Sequence, residues 1–431
     1  MQKNALVLSG GGSRGAYQLG VWQALRELDF PIDIVTGTSV GALNAAMIAT
    51  GDFENTRSLW MNMKTDMIFD VSIDETLPAK QKSTMMVRQF MHDYAAKGGM
   101  DSYPLKQLLD QYCDEQKIRE NPIECGFVCV DKQTLKPCEI YKEDIEEGML
   151  NEYLVASSSL YPAIKSHEID GKQYIDGGYY DNLPVELATR KGADFVLAVD
   201  LEAVGMVRRE TLKAAKTLIR QRCYWDLGPI LVFDRDRISR NIRLGYLDTM
   251  KIFRVFDGIA YTFIRNEVPA FIKRKKADFA DLNTVLGLTF GAKENVTKRE
   301  ELFFLRMKTF LDRKYNQQVD LRFSSFFKCC MESAGEIFGL SPETIYSVER
   351  FNERLTERVN ALDVEFTATD KLGSLKNLQQ TLALFEKPVR TLYLGTLMKK
   401  AVLEERKLDL LGLSLFLPDE LLGAYYLALI S

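Results

Sequence analysis

Apolar and polar positions over the first fifty residues repeat one unit twice: a short apolar run, a glycine turn, then a helical stripe. Residues 5–8 are apolar throughout, which predicts a strand buried on both faces in a parallel sheet. The turn Ser9-Gly10-Gly11-Gly12-Ser13-Arg14-Gly15 follows, and Tyr17, Val21, Ala24, Leu25 and Leu28 then recur at helical spacing. Residues 32–35 predict a second strand, which ends in Gly37-Thr38-Ser39-Val40-Gly41 and passes into the helix formers of residues 42–49. Successive strand–helix units predict an α/β fold with a central, mostly parallel sheet. Ligands of such sheets sit at the carboxyl ends of the strands, where both glycine turns fall.

Further along, residues 124–130 and 137–141 read as neighbouring strands, with Cys125 and Cys129 on one core-facing side. Residues 166–169 and 172–175 flank Asp170-Gly171, a two-residue hairpin turn. The second arm leads into Asp176-Gly177-Gly178-Tyr179-Tyr180-Asp181-Asn182-Leu183-Pro184, in which Asp181, Asn182 and Pro184 read as turn and helix-start residues. Residues 195–199 predict another buried strand, and Asp101-Ser102-Tyr103-Pro104 opens a helix. From Gly258 onward the pattern is helical, with Gly339-Leu340-Ser341-Pro342-Glu343 ending one helix and starting another.

Composition narrows the class. At 431 residues two or three domains are expected, and 27% charged with 46% apolar residues is ordinary globular usage. A net charge of -4 gives no general attraction to nucleic acid or to anionic membrane. Seven cysteines without a C-x-x-C, and only His92 and His167, leave few zinc ligands and predict reduced thiols in a cytoplasm. The amino-terminal apolar run is too short for a signal peptide. Residues 410–430 are interrupted by Pro418, Asp419 and Glu420, so no span of about 20 apolar residues occurs and a soluble or peripheral protein is expected.

The chemistry concentrates in three turns. A serine at the apex of a strand-to-helix turn, with Gly37 and Gly41 two residues to each side, has the form of a nucleophile elbow, although Ser39 could equally be an N-cap. Gly10-x-Gly12-x-x-Gly15 also satisfies a dinucleotide fingerprint, but the second strand ends in Thr36-Gly37-Thr38-Ser39 where that fold needs an acidic residue. The competing use of the turn is anion stabilisation, with N–H groups of Gly10, Gly11 and Gly12 facing an oxyanion and Arg14 adding positive charge. Asp176, at a strand end freed by two glycines, is either a base facing the site or a plain turn former. The methionines at 61, 63, 67, 85, 86, 91 and 100 suit either helical packing or an adaptable acyl groove, with packing the commoner reason.

Taken together, Gly10-Gly11-Gly12-Ser13-Arg14-Gly15, Gly37-Thr38-Ser39-Val40-Gly41 and Asp176-Gly177-Gly178 resemble the three motifs of the patatin-like phospholipase family, in order and in setting. The Asp-Asn-Leu-Pro tail and Ala156-Ser157-Ser158 before Tyr161-Pro162 are similar to the family as well. The resemblance covers residues 1–205 and extends loosely to 255. It implies a patatin-like three-layer catalytic domain over 1–255, followed by a mainly helical domain, 256–431, of unassigned role. It also implies a Ser39–Asp176 dyad without histidine, no metal and no cofactor, acting on phospholipid or lysophospholipid esters. His167, nine residues before Asp176, is the one histidine near enough to contribute. A carboxylesterase or neutral-lipid lipase with the same dyad, and a lipid-binding scaffold without activity, remain as alternatives. The expected partner is a lipid or ester, with peripheral membrane contact at the inner face and no nucleic acid; oligomeric state is left open. In the helical part, Ile272-Lys273-Arg274-Lys275-Lys276 is a basic cluster that suits either anionic headgroups or, more commonly, a solvated helix face. Phe303, Phe304, Phe310, Phe326 and Phe327 form either a core or a ledge for a lipid surface.

Overall fold

The computed structural model describes residues 2–71, 76–290, 297–364, 382–409 and 412–430. The described chain divides into two compact units, Met1–Met250 and Lys251–Ser431. The first unit contains, in order, β1 (Asn4–Leu8), α1 (Ala16–Glu27), β2 (Ile34–Thr38), α2 (Val40–Thr50), α3 (Phe53–Asn62), α4 (Ala79–Lys97), α5 (Tyr103–Tyr112) and α6 (Glu115–Glu120). It continues with β3 (Glu124–Asp131), β4 (Pro137–Tyr141), α7 (Leu150–Ser157), β5 (His167–Ile169), β6 (Lys172–Asp176), α8 (Val185–Arg190), β7 (Phe195–Val199), β8 (Thr217–Gln221) and α9 (Arg235–Ile252).

These strands make one sheet in the order β5-β6-β3-β2-β1-β7-β8, with β4 on β3. Pairings among β3, β2, β1, β7 and β8 are all parallel, and β4, β5 and β6 add antiparallel pairings at one side. Helices cover both faces. Ala5, Val7, Ile34 and Val196 pack against Val185 and Ala188 of α8. Gly37, on the other face of β2, lies against the start of α2. The second strand runs from Ile34 to Thr38, later than the apolar run suggests. Its two threonines are buried because their hydroxyls donate to backbone: Thr36 Oγ1 to Pro184 O at 3.1 Å and Thr38 Oγ1 to Asp181 O at 2.7 Å.

The register on β3 positions the site. β2 pairs with β3 up to Thr38 opposite Val128, while β6 pairs from the other direction down to Asp176 opposite Cys129. β4 pairs with residues Gly126 to Val130 and so takes the opposite edge of β3. The carboxyl ends of β2 and β6 therefore meet tip to tip along one edge of β3, at consecutive positions.

The second unit is mainly helical: α10 (Glu267–Arg274), α11 (Lys276–Leu286), α12 (Lys298–Lys314), α13 (Phe323–Ile337), α14 (Val348–Asn360), α15 (Lys387–Leu403) and α16 (Pro418–Ile430). A small sheet of Phe256–Asp257, Thr262–Ile264 and Ile345–Tyr346 accompanies them. Phe303, Phe326 and Phe327 are buried, and Phe304 stacks edge-on to Phe290 at 4.9 Å, so this group is core rather than ledge. Leu410 and Leu411, which open the 410–430 stretch, lie outside the described residues. In its remainder the acidic interruption is neutralised within the unit: Asp419 pairs with Lys314 and Lys387, and Glu420 with Arg390 at 2.8 Å. The 272–276 cluster spans the junction of α10 and α11, where Lys275 pairs with Asp278 at 2.7 Å and Lys273 and Arg274 face solvent at a helix carboxyl end. No helix among the described residues is long and apolar enough to cross a membrane.

Candidate active site

Ser39 stands between β2 and α2 with φ 56° and ψ -130°, a conformation that costs a non-glycine residue about 1–3 kcal/mol. Surrounding contacts hold it there. Its carbonyl accepts from the N–H groups of Ala42 and Leu43 at 2.8 and 3.2 Å, and its own N–H donates to Ser157 Oγ at 3.0 Å. Ser157 Oγ in turn donates to Val128 O at 2.6 Å, so α7 ties the elbow to β3. The two flanking glycines are sterically required. A Cβ on Gly37 would lie 2.1 Å from Gly41 O, and one on Gly41 would lie 2.2 Å from Leu8 O.

Asp176 ends β6 and is 4% exposed. Its N–H donates to Ser159 O at 2.9 Å, its carboxylate accepts from Gly178 N–H at 2.7 Å, and the nearby Ser39 hydroxyl favours its charged form. Burial pushes the carboxyl from 3.8 up to about 6, against the Gly178 N–H and the Ser39 hydroxyl, which favour the charged form. A base with that value is ionised at neutral pH yet holds a proton far better than an exposed aspartate. Asp181, two turns of chain later, is pushed up to about 7, chiefly by burial, but its Oδ1 closes a turn on Leu183 N–H and it does not line the cavity.

Ser39 and Asp176 both line a cavity of about 390 Å³. Its walls are apolar: Met47 of α2, Leu59 and Trp60 of α3, Met63 and Phe69 beyond it, Leu105, Leu108 and Leu109 of α5, and Ile230, Leu231 and Phe233. Of the methionines in residues 61–100 only Met63 lines it; Met86 and Met100 are core, and Met85 and Met91 face solvent. With one of the seven in the wall, a methionine groove does not account for them.

The glycine turn reaches the cavity with Gly10, Gly11 and Gly12. Two corrections apply to its expected donors. Gly10 N–H is already committed to Asn182 O at 3.2 Å, whereas the N–H groups of Gly11 and Gly12 make no hydrogen bond among the described residues. Arg14 does not line the cavity. Its guanidinium donates to the carbonyls of Gly228 at 2.7 Å, Leu201 at 3.1 Å and Glu202 at 3.2 Å, so it fixes loops behind the turn. The first N–H groups of α2, those of Val40 and Gly41, are also without a partner among the described residues, as a helix start leaves them.

Neither histidine lines the cavity. His167 Nε2 lies 2.6 Å from Glu152, which also holds Lys106, and His92 is an exposed neighbour of Asp93. The sequence reading missed three residues. Asn182, taken as a turn former, lines the cavity between Gly10 and Gly178. Ser157 supports the elbow, and Ser158 Oγ is buried beside the cavity without a hydrogen-bond partner among the described residues. The Asp-Asn-Leu-Pro and Ala-Ser-Ser strings were the available signals.

Residues 6–189, which hold all three motifs, match the family described as Patatin-like phospholipase. A lysophospholipase NTE1 of Kluyveromyces lactis is 29% identical over 216 residues, 47% of this chain and 13% of that protein. A patatin-like phospholipase domain-containing protein of Caenorhabditis elegans, ZK370.4, is 27% identical over 299 residues, 66% of this chain and 20% of its own length. The mouse patatin-like phospholipase domain-containing protein 7 is 30% identical over 203 residues, 46% of this chain and 13% of its own. The chain thus spans a fifth or less of these relatives.

Proposed function

We propose, from the premise that residues 6–189 belong to the patatin-like phospholipase family, that this chain is a serine acyl hydrolase cleaving phospholipid or lysophospholipid esters. The observation that carries the reading is Ser39 on its strained elbow beside the buried Asp176 carboxylate, both lining one apolar cavity. Asp176 accepts the Ser39 proton as the hydroxyl oxygen attacks the ester carbonyl. The negative charge that develops on the carbonyl oxygen is held by N–H groups of Gly11 and Gly12 and of the start of α2. The tetrahedral species collapses, Asp176 gives its proton to the departing alcohol, and the acyl group stays on Ser39. Asp176 then takes a proton from water, whose oxygen attacks the acyl-enzyme, and returns it to Ser39 Oγ as the Ser–acyl bond breaks and the fatty acid leaves. The apolar walls bind the acyl chain, and two relatives that carry the name lysophospholipase or phospholipase support a lipid ester as substrate. Action at the cytoplasmic face of a membrane belongs to the same reading, and seven free cysteines support it.

The test is turnover of a short p-nitrophenyl ester, a lysophospholipid, a diacyl phospholipid and a triglyceride by wild type, Ser39→Ala and Asp176→Asn. Both variants should lose about 10³-fold or more in kcat, and a fluorophosphonate should label wild type but not Ser39→Ala. Full activity in Ser39→Ala would end the reading. Turnover of the triglyceride or the short ester alone would move the enzyme to the lipases or carboxylesterases.

A further inference from the structure

Helix α4 turns an unusual face to solvent. Its inner side is buried through Lys82, Met86, Phe90 and Asp93, and Phe90 stacks edge-on at 5.9 Å against Phe69, a wall residue of the cavity. Its outer side carries Val87, Met91 and Tyr94 at positions i, i+4 and i+7, exposed by 55%, 67% and 47%. Three large apolar side chains in a row on a water-facing stripe leave about half or more of their surface in contact with water.

The charge on the same helix is one-sided. Asp93 is its sole carboxylate, and it is buried against Lys97 at 3.6 Å. Lys80, Arg88 and Lys97 are exposed; Lys97 also reaches Asp70 at 3.9 Å. In a chain with a net charge of -4, an exposed helical surface of cations and apolar residues without an exposed acid runs against the general balance. An apolar stripe flanked by Lys and Arg is the pattern of a helix lying in the headgroup plane of a bilayer.

This stripe is continuous with the cavity mouth. Ser83 and Val87 share a recess with Ala203, Val204, Ile230 and Leu231, and the last four also line the cavity. Glu202 borders the recess, paired with Arg222 at 3.6 Å. Val204 is 86% exposed at the rim, and the loop that carries it is anchored by Met206 N–H on Gly178 O at 2.8 Å, beside the site itself.

We propose that the outer face of α4, together with Val204 at the cavity rim, is the surface by which this protein seats on an anionic phospholipid bilayer. Val87, Met91 and Tyr94 enter the upper acyl region, Lys80 and Arg88 meet phosphates, and the rim opens onto the leaflet. An acyl chain then passes from the bilayer into the cavity without crossing water. The use of the seat by an enzyme rests on the acyl hydrolase reading; the seat itself does not.

The experiment is co-sedimentation of the full chain with vesicles of phosphatidylcholine alone and of phosphatidylcholine mixed with phosphatidylglycerol. Wild type should bind the mixed vesicles more tightly, and Met91→Glu/Tyr94→Glu should weaken that binding about tenfold or more. A Met91→Trp variant should shift its emission to the blue on mixed vesicles and be quenched by lipids brominated in the acyl chains. Equal binding by wild type and the double variant, or an unquenched Trp, overturns the proposal. So does a change of the double variant from dimer to monomer by light scattering, which would assign the face to a second copy. Because sedimentation does not read turnover, a protein that binds vesicles through α4 yet hydrolyses nothing keeps the docking surface and loses the hydrolase reading.

Discussion

Asp176→Asn should separate stability from activity in a pH-dependent way. In the folded chain the carboxyl titrates at about 6 instead of 3.8, a displacement of about two pH units, each worth 1.36 kcal/mol. The native state therefore binds the proton more tightly than the unfolded chain does. The stability associated with it is fully present below pH about 4, falls as pH rises, and is lost above pH about 6, a total of about 3 kcal/mol. Asparagine is neutral throughout and keeps an oxygen for Gly178 N–H, so the variant should show no such loss. The quantity to measure is the difference between variant and wild type in urea unfolding at pH 4 and again at pH 8. Subtracting the two removes the fixed cost of the amide and the titration of Asp181, which both proteins share. Trp22, Trp60 and Trp225 all lie in the first unit, so tryptophan fluorescence follows the unit that matters. The variant should gain about 3 kcal/mol on wild type between the two pH values, while wild-type kcat/KM rises with a single ionisation at about pH 6. A gain under about 1 kcal/mol, with the activity limb near pH 4, would refute the claim that burial holds this base.

Three further outcomes follow from the geometry. Gly41→Ala, whose methyl would sit 2.2 Å from Leu8 O, should cost about 3 kcal/mol or more and abolish labelling at Ser39, measured by thermal unfolding and a fluorophosphonate probe. Ser157→Ala removes the link between Ser39 N–H and Val128 O; stability should fall by about 1–3 kcal/mol, with kcat lowered more than KM is raised. His167→Ala breaks a pairing with Glu152 outside the cavity and should keep kcat/KM within about threefold; a loss beyond about 100-fold would bring a histidine into the mechanism.

The three motif turns were legible because each answers to a local steric demand: a glycine where another backbone passes, a serine at an apex, an aspartate at a strand end. The strand–helix order and the hairpin at Asp170-Gly171 were legible for the same reason. Strand β2 was placed too early because its buried threonines look polar, and the carbonyls that satisfy them, at Pro184 and Asp181, lie 148 and 143 positions away in one turn. Strand β8 went unseen: Thr217–Gln221 is half polar and pairs at the edge of the sheet. The commitments of Gly10 and Arg14 depend on loops around residues 182, 201 and 228, which no local pattern brings together. The cavity wall is likewise a convergence of α2, α3, α5 and the 230–233 segment, a matter of tertiary packing alone.

The abutting ends of β2 and β6 separate what can vary from what cannot. Both strand tips are spaced by the ladder of β3, whose dimensions are those of the peptide unit and are the same in any sequence. The spacing of Ser39 and Asp176 along the sheet is thus set by backbone metrics as well as by the side chains that hold the two turns. The acyl cavity has no such standard, being lined by side chains from several independent helices. Drift in the sequence can therefore reshape the cavity while the strand ends that carry Ser39 and Asp176 keep their register.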